Sequence, residues 1–534
     1  MVDAASPLAR PCPHFYVRGM RRRSEHGGRI RLGGLALLAC VLAAGCVRPE
    51  VLVEFSPESP VRRRASRGRY VVLIDGSAYG DPEWRGVAEC LREKHDAALV
   101  VYPDGKPEAA LDELRRLRPR YACFVTPPER SGRAFVVAVH RLTRRIDDDP
   151  YTDVLWGILT GYEAADALRI AERSEPMVIR SAASSMGPGA FKNLDHGFAS
   201  SETDPRVFWR KDAGGETVKM KVDPDPTEAL AKAFNTAPPD LFVTSGHATE
   251  RDWQIGYNVR AGQFRCEGGQ LYALGTDGKR RDITSPRPKI YTPLGNCLIG
   301  RISKRDCMTT AWLHTGGVYQ MFGYTAVTFH GYMGWGTGGL FNGGRNTLSE
   351  AFYFNNQSLV HRLVTKYPEH AGIEFDSYDQ RAPGRLVKQH KIGSRDLLGA
   401  LWDRDCVAFY GNPAWEARRL PSPPAWTWRL EEAGGEYRFT LKALRDSKWG
   451  NRPVMVFLPR RLSDVSDVSW YSDGAAPLGQ PVVTDDFMLL PRRGEYKTGE
   501  EYVVSFSARE AEVVMTSAGD PPVRLDIRRK EGVR

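Results

Sequence analysis

Two short apolar runs constrain this chain more than anything else in it. One reads PDLFVTSGH and ends at His247; the other reads PKIYTPLGNC and ends at Cys297. An apolar run that stops at a glycine and then a polar residue has the pattern of the carboxyl end of a buried parallel strand. In open α/β sheets, ligands and chemistry lie just beyond those ends. A histidine and a cysteine delivered there by neighbouring strands can act together, the imidazole drawing the proton from the thiol. A helix (RDCMTTAWLHTGGV) and a third strand (YTAVTFHGYMGWG) are expected to follow.

Around that stretch the pattern alternates between the two periods. Tyr70–Ile74, Ala98–Tyr102, Tyr121–Thr126 and Phe135–His140 read as strands, and Glu83–Lys94 and Glu108–Arg116 as helices. Further on, Glu163–Glu172, Thr227–Phe234 and the amphipathic Leu348–Tyr367 read as helices, and Met177–Ser181 as a strand before a small-residue loop, 182–189. The spacing predicts an α/β fold with a doubly wound, mostly parallel sheet flanked by helices. It divides into an N-terminal subdomain, 69–175, and a second subdomain, 176–415. An insertion between the two loaded strands carries Asp277-Gly278 at a hairpin turn. Residues 424–517 change character. Trp426–Leu430, Tyr437–Leu441, Val454–Leu458, Val482–Leu490 and Glu501–Ala508 are short β-prone runs between turns, which predicts a small β-sandwich. Residues 518–534 read as a polar tail.

The order strand–Gly–His, fifty residues (297 − 247), strand–Cys is that of the caspase-like cysteine peptidases. Within that clan the chain resembles the gingipain family. The resemblance rests on Thr244-Ser245-Gly246-His247 with Trp253 shortly after, on Asp306–Trp312 in the next helix, on the run Val327–Trp335, and on Gly411-Asn412-Pro413 near the end. Asp149–Gly157 is similar to the family's junction between subdomains. Together these pieces cover roughly residues 69–415.

What the resemblance implies is a peptidase acting on protein or peptide substrates. Cys297 would be the nucleophile, and His247 the base that activates it and then the acid that protonates the leaving amine. The backbone N–H groups of Cys297 and Ala248 would form the oxyanion hole. Trp335 would stand over the specificity pocket. Asp195 would be the carboxylate that selects a basic side chain, with Glu250 and Asp252 as alternative acids. The resemblance also implies an immunoglobulin-like domain after the catalytic one and structural calcium, with no cofactor required for the chemistry. Three positions depart from the family: Ala248 and Asn412 replace a glycine and an aspartate, and Ser181–Ser184 holds no acid where the family orients its histidine. They motivate a second reading, a catalytically silent surface protein of the same fold that uses its cleft or β-domain for binding.

Residues 1–46 read as a targeting segment. A basic run precedes the apolar stretch Leu32–Ala44, which is too short to span a membrane, and Ala43-Ala44-Gly45-Cys46 resembles a bacterial lipobox. That implies cleavage before Cys46, lipid on its thiol, export and attachment to a membrane surface; the alternative is an ordinary secretory signal. Met20 offers a later start. Residues 47–68, rich in Pro, Ser and Arg, read as a linker. The net charge of +10 gathers at the two ends and in the linker, and no nucleic-acid-binding motif accompanies it, so nucleic acid is excluded as a partner. Nine cysteines without a CxxC pair give neither a zinc site nor a disulfide framework. The glycine-rich run 334–344 lacks the Lys-Ser/Thr of a phosphate loop and reads as a mobile loop at the cleft mouth. His330, beyond Cys297, reads as lining the cleft or the core.

Overall fold

The computed structural model describes residues 50–55 and 69–525, apart from 223–224, 258–259, 286, 376, 380, 421–422, 449–452, 474–478, 492–494, 513 and 515–516. The targeting segment with Cys46, most of the linker and the last nine residues lie outside the described residues. Among those described, no helix is long and apolar enough to cross a membrane.

The alternating pattern folds as a mixed α/β body around one 13-stranded sheet. Its strands are β1 (Tyr70–Asp75), β2 (Ala98–Tyr102), β3 (Tyr121–Val125), β4 (Leu155–Leu159), β5 (Ser181–Ser184), β6 (His196–Ser200), β7 (Val207–Lys211), β8 (Val218–Lys221), β9 (Leu241–Thr244), β10 (Lys289–Pro293), β11 (Val318–Tyr324), β12 (Val407–Tyr410) and β13 (Val523–Arg524). The spatial order is β8-β7-β6-β5-β9-β10-β11-β12-β4-β3-β1-β2-β13. Pairing is parallel except at β8/β7, β7/β6 and the seam β11/β12. The near-continuous apolar runs of β1, β2, β9 and β11 follow from their position, for a parallel strand covered on both faces has no polar side to show.

Helices cover this sheet. Pro82–His95 (α1) starts at Asp81, whose carboxylate accepts the N–H of Glu83 at 2.9 Å, and it buries Trp84, Val87, Ala88 and Leu91. Phe135–His140, expected as a strand, lies inside the helix Arg133–Thr143 (α2). The helix buries Phe135, Val136, Val137, Val139, His140 and Leu142, and the polar positions Arg133 and Arg141 that show its period lie outside the apolar run read as a strand. Met177–Ser181 is likewise divided, into Met177–Ile179 and β5, and the loop expected from Ala182 begins as buried strand.

The C-terminal region forms separate antiparallel sheets. One has the order Glu50–Phe55, Trp426–Ala433, Glu436–Ala443, Glu501–Glu510, Leu462–Ser472; another pairs Val454–Phe457, Phe487–Leu490 and Val482–Val483. Leu430, Phe439 and Val504 of the first share an apolar cluster with Val456, Met488 and Leu490 of the second. Both chain ends cross over. Glu50–Phe55, inside the expected linker, pairs with Trp426–Ala433, and Val523–Arg524, inside the expected polar tail, adds β13 beside β2. Phe457 and Phe487 then meet Tyr151, Leu155, Tyr353 and Phe354 in a cluster that joins the two regions.

Candidate active site

The chain reverses direction between β5 and β9. From β5 it runs outward to β6; from β9 it runs the other way to β10. A crevice outside the carboxyl ends of strands that diverge in this way is where open α/β sheets place their ligands. His247 lies three residues past β9 and Cys297 four past β10, and these two strands are paired in register, Thr244 opposite Pro293.

A buried amide ties the two strand ends together. Asn296 is fully buried; its Nδ2 donates to the carbonyl of Gly246 at 3.1 Å, and its Oδ1 accepts the Thr244 hydroxyl at 2.9 Å. The Tyr291 hydroxyl meets the same threonine at 3.0 Å. Gly246 has φ +97°, a backbone conformation that a side chain would strain. Trp253, also fully buried, braces the turn by donating its indole N–H to the Ser245 carbonyl at 2.9 Å. The half-buried ring of His247 stacks on Tyr257, with centroids 4.8 Å apart. Ala248 has no positive φ, so the residue that replaces the family's glycine sits without strain. It bridges Trp253, but the hydrogen bonds of that bridge belong to the N–H groups of Thr249 and Gln254.

Cys297 is half-buried, and the backbone N–H of Thr328 donates to its Sγ at 3.3 Å. A donor aimed at sulfur stabilises the thiolate more than the thiol. Leu298 follows in the left-handed region, φ +58°, at a cost of order 1 kcal/mol for a non-glycine residue. The next turn holds it there: the Leu298 N–H donates to Ala326 at 3.1 Å, and Gly300 lies so close to Gly323 of β11 that a Cβ would stand 2.4 Å from its carbonyl carbon.

The third run differs from expectation. Val327–Trp335 is not a strand: β11 ends at Tyr324, and Tyr332–Asn342 is a helix (α3) that contains residues 334–342 of the glycine-rich run expected to be a mobile loop. Cβ atoms on Gly334 and Gly338 would stand 1.7 Å from the Leu294 carbonyl oxygen and 2.4 Å from its side chain. The glycines let the helix lie directly on the turn that carries Cys297. Trp335 projects from it, 46% exposed, with its indole nitrogen 3.4 Å from where a Cβ on Gly295 would be. His330 packs against Gly399 of the helix Arg395–Arg404 (α4) and lines a cavity together with Trp335, and burial holds its pKa down.

The acids expected for a pocket separate. Asp195 precedes β6 and pairs with Arg180, which precedes β5, at 3.3 Å. Both stand at the amino ends of those strands, the edge opposite His247, so Asp195 lies outside the site. Glu250 is already engaged, accepting the Ser303 hydroxyl at 2.9 Å and pairing with Arg301 at 3.2 Å. Asp252, half-buried, lies in the short strand Asp252–Gln254, opposite Arg265.

Glu202 is the acid that sequence reasoning missed. It follows β6, its carbonyl accepts the N–H of Tyr257 at 2.7 Å, and its Oε1 is buried with no hydrogen-bond partner among the described residues. Burial raises its carboxyl pKa, and the Ser245 hydroxyl opposes that shift. The strand that delivers it, HGFAS, has too few β-branched residues to announce itself.

No family model matches this chain, and no curated protein does. A solved structure described as "Structure of Protease" aligns over 83% of this chain and 97% of its own, at 9% identity and a TM-score of 0.34. A likeness at that level carries no argument about fold or activity. The functional reading therefore stands on the residues at the two strand ends.

Proposed function

We propose that this protein is a cysteine-type hydrolase of peptide bonds, with Cys297 as nucleophile and His247 as general base and acid. One observation carries the reading: the two residues follow the carboxyl ends of adjacent parallel strands, and the buried Asn296 bonds one turn to the other. In the proposed reaction His247 takes the thiol proton and the thiolate attacks the peptide carbonyl carbon. The N–H of Ala248, left outside its bridge, and that of Cys297 receive the oxyanion. His247 protonates the departing amine, and water then hydrolyses the thioester. Trp335 and Glu202 border the place where a substrate side chain would enter. Asp195, paired with Arg180 at the opposite edge of the sheet, supplies no carboxylate to that place. Export and lipid attachment at Cys46 belong to the same proposal, and their support is the sequence of residues 1–46.

A second reading, a binding protein that has kept the fold without activity, has one observation in its favour. The ring of His247 meets Tyr257, and no carboxylate among the described residues lies within ion-pair reach of it. The two readings part on a panel of peptides. The hydrolase cleaves at least one of them, and Cys297→Ala abolishes the cleavage. Cleavage that survives Cys297→Ala removes the assignment.

A further inference from the structure

The C-terminal β-region meets the second subdomain around a cavity of about 400 Å³ that the proposed chemistry does not use. One side is closed by the end of α3, the turn after it and the helix Leu348–Lys366, the other by the strands Trp426–Ala433 and Val454–Phe457. The apolar lining includes Leu340, Phe354, Trp426, Trp428, Met455 and Val456. A pocket of this volume, mostly apolar with a few polar groups converging on it, is of the kind that takes a small organic ligand. The aromatic walls favour a flat ring over a flexible chain, because rings gain from stacked and edge-on contact beyond the area they bury.

The charged side chains at this cavity are Arg345, Arg418, Arg445 and Glu350, a net positive set. Glu350 is matched within it: Arg418 pairs with its carboxylate at 3.0 Å, and the Thr347 N–H donates to the same oxygen at 2.9 Å. Arg418 also donates to the carbonyl of Arg345 at 2.7 Å, which fixes the turn that carries Arg345. The guanidinium of Arg345 lies 4.1 Å from the centre of the Trp426 ring. Arg445 donates to the Pro423 carbonyl at 3.2 Å and has no carboxylate partner among the described residues. Burial, and after it the like charge of Arg445, bring the pKa of Arg345 down to about 10. Two guanidinium groups at one partly buried wall repel each other. An anion that meets both relieves the repulsion and accepts charge-assisted hydrogen bonds from each.

We propose that this cavity binds a small organic anion with an aromatic body, its carboxylate held by Arg345 and Arg445 and its ring packed among Trp426, Trp428 and Phe354. The planar fork of a guanidinium suits a carboxylate, and the apolar walls supply the burial that a bare inorganic ion could not use. A ligand seated there touches both regions and so stabilises their joint. The site is separate from Cys297 and does not depend on the proposed hydrolysis.

Naphthalene-2-carboxylate tests it on the full-length chain, by titration calorimetry and by thermal unfolding. Binding should be one-to-one and should raise the Tm by several degrees at saturation, since the ligand binds the native state in preference to the unfolded one. 2-Naphthylmethanol, with the same ring and no charge, should bind at least tenfold more weakly. Decanoate, with the charge and no ring, should bind severalfold more weakly. Arg445→Gln, at an exposed position, should fold normally, weaken naphthalene-2-carboxylate at least tenfold and lose most of the Tm response. Arg345→Gln should weaken it as much; should that variant fail to fold, Arg445→Gln decides. Arg509→Gln, an exposed arginine of the same region outside the cavity, should keep both responses. Absence of both heat and a Tm shift in the wild-type chain would overturn the proposal. Equal binding of the alcohol would leave an apolar cavity with no anion site, and equal binding of decanoate would remove the aromatic class; either overturns it. Binding undiminished in the folded arginine variants would place the ligand elsewhere, and overturns it equally.

Discussion

Asn296 does at one position what a ladder of hydrogen bonds does along a strand. Its amide holds the turn after β9 against the turn after β10, so the placement of the two turns that carry His247 and Cys297 depends on a side chain that is itself buried. Asn296→Ala strands the Gly246 carbonyl and leaves the Thr244 hydroxyl with Tyr291 alone. It should cost about 2–4 kcal/mol of stability in denaturant unfolding, in line with unsatisfied buried groups. The same variant should lose most thiol reactivity even where it remains folded. His247, Cys297 and Gly246 were legible in the sequence because strand ends and glycine turns leave local signatures. Asp195 was misplaced because a sequence does not say which end of a parallel strand a loop residue occupies. Glu202 was missed because its meaning comes from Ser245 and Tyr257, which are distant in the chain.

At the scale of elements, the glycine-rich helix α3 is the part that sequence patterns describe worst. Glycine disfavours helix by about 1 kcal/mol per residue relative to alanine, which is why 334–344 reads as a loop. The structure uses those glycines for contact instead. Gly334→Ala would drive a Cβ into the Leu294 backbone, and it should destabilise the protein and displace Trp335. Gly384, in the helix Ala382–His390, has nothing within 4 Å of its would-be Cβ. Gly384→Ala should therefore stabilise by up to about 1 kcal/mol. Comparing the two by thermal unfolding separates propensity from packing. The start of α3 also carries a titrating group. Asp403 of α4 accepts the Met333 N–H at 3.1 Å and the Tyr324 hydroxyl at 2.8 Å, and burial pushes its carboxyl up to about 6. The folded carboxyl keeps its proton up to about pH 6, whereas the unfolded one releases it near 4. Stability therefore falls as pH rises through that window, by up to about 3 kcal/mol. Asp403→Asn should remove that slope from stability measured across the window.

The largest scale shows what a linear reading could not. The alternation of strands and helices predicted the parallel sheet and the later β-rich region, because period-2 and period-3.6 patterns are local. The crossing of the two chain ends left no such signal, since Glu50–Phe55 and Val523–Arg524 acquire meaning only from the partners Trp426–Ala433 and β2. Arg461 joins the two regions from a buried position, 1% exposed, bonding Pro119, Asp153 and Asp485. Arg461→Met leaves Asp485 and Asp486 without that partner and should cost about 3–5 kcal/mol, as breaking buried ion pairs does. Thermal unfolding of that variant should separate into two transitions, with the C-terminal region melting first. The reversal between β5 and β9 is where an open sheet of this kind offers a crevice, and the central claim is that the thiol beside it is activated. The measurement that tests this most directly is labelling of the purified protein with a panel of peptidyl acyloxymethyl ketones, read by intact mass and peptide mapping, with His247→Ala as control. The account predicts a single adduct on Cys297 that disappears in the histidine variant. No adduct from any peptide, while a small alkylator still reaches Cys297, would contradict it and give the lead to the binding-protein reading.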